Sequence, residues 1–212
     1  MQLQTEMPQI WVQSQLGQFD LAARMRGHWS VIAFHPAAFT PVCSTEIAAM
    51  ARCPYLKCSD TIAFSVTPDT PARNEAWIAE TGAQLGVTVR HDCIADTAHE
   101  LTRLFGLPAF MQTGAGPHGY FIFDPSNRLA AFSILPAGVG FSTLEISRTL
   151  AALTLTSQEK AQAPADWTLG AELIDLPAAA RPGKTARPAT LGARAVNIWD
   201  KGVHQRGAAR AA

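Results

Sequence analysis

The sequence predicts an α/β protein, a mixed central sheet with helices on both of its faces. Three observations carry this. The apolar runs Val31-Ile32-Ala33-Phe34 and Thr61–Val66 have the length of buried strands. Each is followed by a turn and then by a helical segment. Further on, Tyr120–Phe123 and Leu129–Ile134 flank the turn Asp124-Pro125-Ser126-Asn127 and read as a hairpin.

In chain order, the short apolar pieces around Ile10, Leu16, Phe19 and Leu21 suit an N-terminal hairpin or edge. The strand Trp29–Phe34 leads to a helix that starts near Cys43 and ends by Cys53-Pro54. Thr40 fits its N-cap, and Pro41 its first position, where a missing N–H is harmless. The second strand, Thr61–Val66, turns at Thr67-Pro68-Asp69 into a helix over Pro71–Gln84 with Trp77 and Ile78 on its apolar face. Thr97-Ala98-His99-Glu100 is a capping box for a short helix through Phe105, which Gly106 stops. After the hairpin, Ser142-Thr143-Leu144-Glu145 is a second box, and its helix runs to about Leu155. The order is β-α-β-α-(α)-β-β-α, with no internal repeat.

With 212 residues, 48% of them apolar, the chain buries a full core in one domain with an appendage. The expected division is residues 1–155 and a C-terminal arm and basic tail over 156–212. Net charge is zero, so no global field selects nucleic acid. No run approaches the ~18 apolar residues of a membrane span. The N-terminus lacks the basic flank and apolar core of a secretory signal. Four cysteines do not make a disulfide scaffold, so a reducing cytoplasm is expected. After Leu176 the composition shifts to Ala, Gly, Pro and Arg; the chain from Arg181 carries +6 and the rest −6. That charge suits a tail resting on the acidic body or on a partner subunit, anchored at Ile198 and Trp199, more than a nucleic-acid arm.

The chemistry concentrates in His35-Pro36-Ala37-Ala38-Phe39-Thr40-Pro41-Val42-Cys43-Ser44-Thr45-Glu46. The helix register puts Cys43 in the first turn, where free backbone N–H groups and the helix dipole favour an anion. A thiolate is such an anion, and thiols so placed titrate below the ~8.5 of free cysteine.

This stretch resembles the peroxidatic loop of the peroxiredoxins, Pro-x-x-x-Thr-x-x-Cys, with Pro36, Thr40 and Cys43 at its fixed positions. The His-Pro opening and Ser-Thr-Glu ending are most similar to the one-Cys branch. Weaker matches are Ile94-Ala95-Asp96, Phe121–Pro125, Ser133–Pro136 and Pro164-Ala165-Asp166-Trp167, the last resembling an arm that packs across a partner subunit. The resemblance implies a thioredoxin-like fold with added N-terminal and inserted elements, and no cofactor. It implies a thiol-dependent peroxidase acting on hydrogen peroxide or small organic hydroperoxides, with an external thiol reductant of glutathione or thioredoxin type. A homodimer or larger homo-oligomer is implied too. Cys43 is the attacker, Thr40 bonds the peroxide, Pro36 shields the sulfur, Val42 and Cys43 offer backbone N–H groups, and Glu46 holds the hydrogen-bond network. His35 is either a structural histidine or one that orients substrate.

Two family arginines are replaced. His118, in Gly116-Pro117-His118-Gly119, aligns with the first, and Phe141, after Gly140, with the second. A histidine offers fewer donors than a guanidinium and loses its charge near pH 6.5. A less acidic Cys43 and slower attack than the family usually shows are therefore expected, with His118 a pH-dependent substitute that His118→Arg improves. Arg128, in the hairpin turn, is the other cation that could swing in.

No cysteine follows Cys93, and Cys53 and Cys58 lie ten and fifteen residues past Cys43. An external resolver is therefore expected. The two-Cys alternative demands a Cys43–Cys53 or Cys43–Cys58 disulfide. Cys53-x4-Cys58 and His91-x-Cys93 fall short of paired zinc knuckles, so no metal is expected. A peroxide sensor of the same fold is the competing reading, and a thiol–disulfide oxidoreductase is disfavoured because a Cys-x-x-Cys pair is absent.

Overall fold

In a computed structural model of the chain, residues 1–58, 60–108, 116–158, 161–175 and 194–195 are described. The N-terminal apolar pieces form a hairpin, β1 (Trp11–Ser14) and β2 (Gly17–Asp20), followed by α1 (Leu21–Met25), whose N-cap Asp20 accepts from Ala23 N–H. Then come β3 (Trp29–Phe34), α2 (Pro41–Arg52), α3 (Pro54–Cys58) and β4 (Thr61–Thr67). α4 (Pro71–Leu85) is capped by the Thr70 hydroxyl and ends at left-handed Gly86; β5 (Asp92–Ala95) and α5 (Glu100–Leu104) follow. The expected hairpin is β6 (His118–Phe123) with β7 (Leu129–Leu135).

These strands make one mixed sheet in the order β2-β1-β5-β4-β3-β6-β7. β3 runs parallel to β4 and antiparallel to β6. Alternation divides the central strands between two cores. Ile32, Phe34, Phe64, Val66, Ile94, Phe121 and Phe123 pack with Leu21 and Met25 of α1 and Leu101 of α5. On the other face Cys43 and Ile47 of α2 cluster with Trp77 of α4 and Cys93 of β5. At roughly 25 cal/mol per Å² of apolar area removed from water, such aromatic-rich packing is what fixes the helices to the sheet.

Two local expectations change. The box at Thr97 does not form; the Asp96 carboxylate instead accepts from the N–H groups of Leu101 and Thr102 at 3.0 and 2.8 Å. Thr40 stands at the N-cap of α2 in extended backbone, but its hydroxyl makes no cap bond and lies 3.2 Å from Ala37 O.

The chain divides into two compact units, Met1–Thr143 and Leu144–Ala212. The second unit holds most of α6 (Thr143–Gln158) and a small sheet of β8 (Ala161–Gln162), β9 (Glu172–Asp175) and β10 (Arg194–Ala195). Within it Trp167 is buried and its indole N–H donates to Ala171 O. Most of the basic tail, with Ile198 and Trp199, lies outside the described residues. Among the described residues no helix is long and apolar enough to cross a membrane.

Candidate active site

The loop between β3 and α2 is pinned at both ends. His35 N–H donates to Val66 O at 2.9 Å, and Ala38 N–H donates to the Asp69 carboxylate at 2.7 Å. Between them Pro36 is buried; just past Ala38, Phe39 is held in the left-handed region at φ 63°, a strained conformation for a residue with a Cβ. Pro41 opens α2, which puts Val42 and Cys43 in the first turn, as their spacing predicts. Glu46 follows Cys43 by three residues and so shares its helix face. His118 arrives from another direction. β6 pairs Gly119 with Phe34, so one further step along both chains sets His118 beside His35.

Four side chains converge there, all essentially buried: Cys43 and His35 at 0% exposure, Glu46 and His118 at 2%. Nδ1 of His35 and Nδ1 of His118 each lie 2.9 Å from the same oxygen, Glu46 Oε2. The other carboxylate oxygen, Oε1, accepts from Phe141 N–H at 2.9 Å. The donor atoms of His35, Cys43 and Glu46 sit within 4.8 Å of one another, a spacing the hydrogen bonds among them explain. Trp77 and Phe141 pack their rings against His35 at 5.6 and 5.7 Å.

Charge follows from this geometry. Burial alone would push the Cys43 thiol up. Hydrogen bonds from His118 and His35, the His35 charge and the Thr40 hydroxyl outweigh it and hold Cys43 down at about 6. Burial likewise opposes charge on the two imidazoles, yet contacts with Cys43 and Glu46 raise both to about 9. Glu46 is kept well below the usual carboxylate range against its burial by His118, His35 and the Phe141 N–H. The four titrate as one cluster of two anions and two cations. Cys93 makes the contrast: burial and the carboxylates of Asp69 and Asp92 push its thiol far above the ordinary value.

Two imidazolium rings thus hold Cys43 below the ordinary thiol value without either family guanidinium. Arg128 is a correction. It is exposed in the β6–β7 turn, its N–H bonded to Asp124, at the end of the sheet where Phe123 faces Ser30. That is five strand residues, about 17 Å, from His35. Cys53 caps the far end of α2, ten residues and about 15 Å from Cys43, beyond the ~7 Å Cα limit of a disulfide. The side chain of Cys58 lies outside the described residues.

Sequence reasoning missed three participants. Phe141 marked only a missing arginine, yet its N–H anchors Glu46. Ser65 bonds His35 Nε2 at 3.1 Å, and His91 Nε2 bonds Ser65 at 2.9 Å. A serine inside the apolar run TIAFSV was the available signal.

The AhpC/TSA family model matches residues 3–132. The chain is 31% identical over 177 residues to a peroxiredoxin of Hyperthermus butylicus, covering 81% of this chain and 76% of that one. It is 29% identical over 173 residues to the 1-Cys peroxiredoxin of Dictyostelium discoideum, covering 80% and 71%. Among solved structures, a cysteine-to-serine mutant of the peroxiredoxin 6 of Arenicola marina aligns with a TM-score of 0.78 at 26% identity over 84% of each chain. The sheet and helices are those of the thioredoxin-like peroxiredoxin fold. The chain therefore belongs to the AhpC/TSA family of peroxiredoxins and is a thiol-dependent peroxidase.

Proposed function

We propose that this protein reduces hydrogen peroxide or small organic hydroperoxides through a sulfenic acid at Cys43, which an external thiol then resolves. The carrying observation is the placement of Cys43 in the first turn of α2 between two histidines that share Glu46 Oε2. As a thiolate, Cys43 attacks one peroxide oxygen. An S–O bond forms, the O–O bond breaks, and two electrons pass from sulfur to peroxide. The leaving oxygen takes a proton from the imidazolium cluster. An arginine holds its proton too tightly for that step. Thr40 and the first-turn N–H groups of Val42 and Cys43 orient the peroxide, and Pro36 keeps bulk water off the sulfur.

Cys43 is wholly buried, so peroxide enters as the half-buried turn at Thr40 and Val42 gives way. The strain at Phe39 lowers the free-energy cost of that opening. Cys53 is out of reach of Cys43, which favours an external reductant of glutathione or thioredoxin type. The working form is a homodimer or larger assembly in a reducing cytoplasm.

The test is stopped-flow oxidation of Cys43 by hydrogen peroxide, with the sulfenic acid trapped by dimedone. One dimedone adduct at Cys43 and steady turnover with dithiothreitol are expected. Peroxide that leaves Cys43 untouched would sink the proposal. Complete burial of the thiol also favours a second reading, a peroxide sensor; single oxidation without turnover selects it.

A further inference from the structure

The polar network around Cys43 continues past it. His35 faces Glu46 with Nδ1 and Ser65 with Nε2; the hydroxyl of Ser65 then meets Nε2 of His91. Ser65 is fully buried in β4 and points away from the core that holds its neighbours Phe64 and Val66. His91, just before β5, is half-buried and lines a cleft of about 700 Å³. Cys43 and His35 have no exposed surface, whereas the outer end of this chain reaches a space large enough for water.

The polarity of the chain is fixed by its chemistry. A charged His35 donates its Nε2–H to Ser65 Oγ, Ser65 donates its O–H to His91 Nε2, and the proton of His91 is left on Nδ1. The groups around His91 keep it ready to accept. Arg52 of α2, Lys57 of α3 and Arg90 line the cleft, and His35 stands beyond Ser65. Asp92, the anion beside it, is already held by Arg24 and Ser14 at 2.7 and 2.6 Å. Burial, then the His35 charge, lowers His91 to about 4, so the ring is neutral while His35 is charged.

We propose that Ser65 and His91 form a proton path that charges and discharges His35 from the cleft, so that the buried Cys43 gains or loses its cationic partner without water reaching the sulfur. Outward, the His35 Nε2 proton moves to Ser65 as the Ser65 proton moves to His91 Nε2 and the His91 Nδ1 proton leaves to cleft water. Inward, each hop reverses. No electrons move, and His35 Nδ1–H stays on the Glu46 side throughout. In the peroxidase reading, on which the biological use of this path rests, each turnover delivers one proton to the leaving oxygen. The second reductant thiol enters as thiolate and leaves its proton in solvent. The path returns that proton to the buried cluster. His91 acts through His35 and is a positioning residue.

The decisive measurement is the exchange of the His35 Nε2 proton with water, by NMR of the full chain carrying nitrogen-labelled histidine. This readout does not depend on peroxide chemistry. His91→Leu and Ser65→Ala are expected to slow exchange by at least about tenfold. Added imidazole is expected to restore it in His91→Gly, where the cleft admits the free ring, and not in Ser65→Ala, where the chain is cut. His91→Asn, close to histidine in polarity, guards against a folding defect and is expected to show the same slowing. Exchange in His91→Leu and His91→Asn equal to the parent, or indifference of His91→Gly to imidazole, overturns the path. A parent that exchanges as expected but never turns over peroxide overturns the peroxidase reading alone.

Discussion

Replacing His118 by alanine tests the electrostatics of the site most directly. The ring bonds both the Cys43 sulfur and Glu46 Oε2, so the variant loses a charge-assisted hydrogen bond to a buried thiolate. Such bonds are worth about 1.5–3 kcal/mol, or about 1–2 pKa units. Cys43, held at about 6 in the parent, then titrates at about 7–8. At pH 6 half the parent thiol is ionised, against about a tenth to a hundredth in the variant, so alkylation slows about five- to fifty-fold. At pH 9 the two converge. The assay is iodoacetamide labelling across pH, read at the Cys43 peptide by mass spectrometry so that Cys53, Cys58 and Cys93 do not contribute. His118→Asn, which keeps a donor but not a charge, should fall between. Coincident alkylation midpoints in all three proteins would refute the claim that His118 holds the thiolate.

Peroxide and alkylating agent should give different pH profiles. Both rates rise through about 6 as Cys43 ionises, but only peroxide reduction falls again above about 9, where His35 and His118 lose their protons; matching profiles would remove the imidazolium from the step. Stability should carry the same signature. Folding lowers Cys43 from 9.0 to about 6, so its ionisation stabilises fully above 9 and that contribution is lost as pH falls through 6. The urea-unfolding gap between parent and Cys43→Ser is thus expected to widen from pH 6 to 9, and a constant gap contradicts the depressed thiol. In Gly140→Ala the new Cβ meets Val42 Cγ1 at 3.1 Å and Glu46 Oε1 at 3.3 Å. It should displace the carboxylate, cost about 1–3 kcal/mol and slow Cys43 alkylation at pH 6, and parent-like alkylation would show that Glu46 placement is not critical.

The elements legible in the sequence are those whose apolar pattern outlasts noise. Trp29–Phe34 forms a strand with the expected bounds, and Pro71–Gln84 appears within one residue of its end. β5 was not legible because two of its four residues are committed elsewhere: Asp92 is buried against Arg24 and Ser14, and Cys93 faces the helices. α1 and α3 are five residues each, too short to show a helical period. At the site, Pro36, Thr40, Val42, Cys43 and Glu46 were readable together because they are local in sequence. His118 is legible only by alignment with a family arginine, and the strand register that carries it to His35 is a long-range pairing that local spacing does not show. The depressed thiol of Cys43 depends on Glu46 bridging two rings, a three-body contact that spacing does not encode.

That bridge changes what an arginine at position 118 would achieve. A guanidinium stays charged at every working pH and so holds a thiolate more firmly than an imidazole. With Cys43 already at about 6, however, about nine-tenths of the thiol is ionised at pH 7, and a stronger cation can add only the last tenth. Against that small gain stands the loss of one of two rings able to protonate the leaving oxygen, and a longer side chain forced into a site with 2% exposure. His118→Arg is therefore expected to speed alkylation of Cys43 below pH 6 and to leave peroxide oxidation at pH 7 no faster than in the parent. A several-fold gain with peroxide at pH 7 would mean that thiolate supply, rather than proton delivery, limits this enzyme.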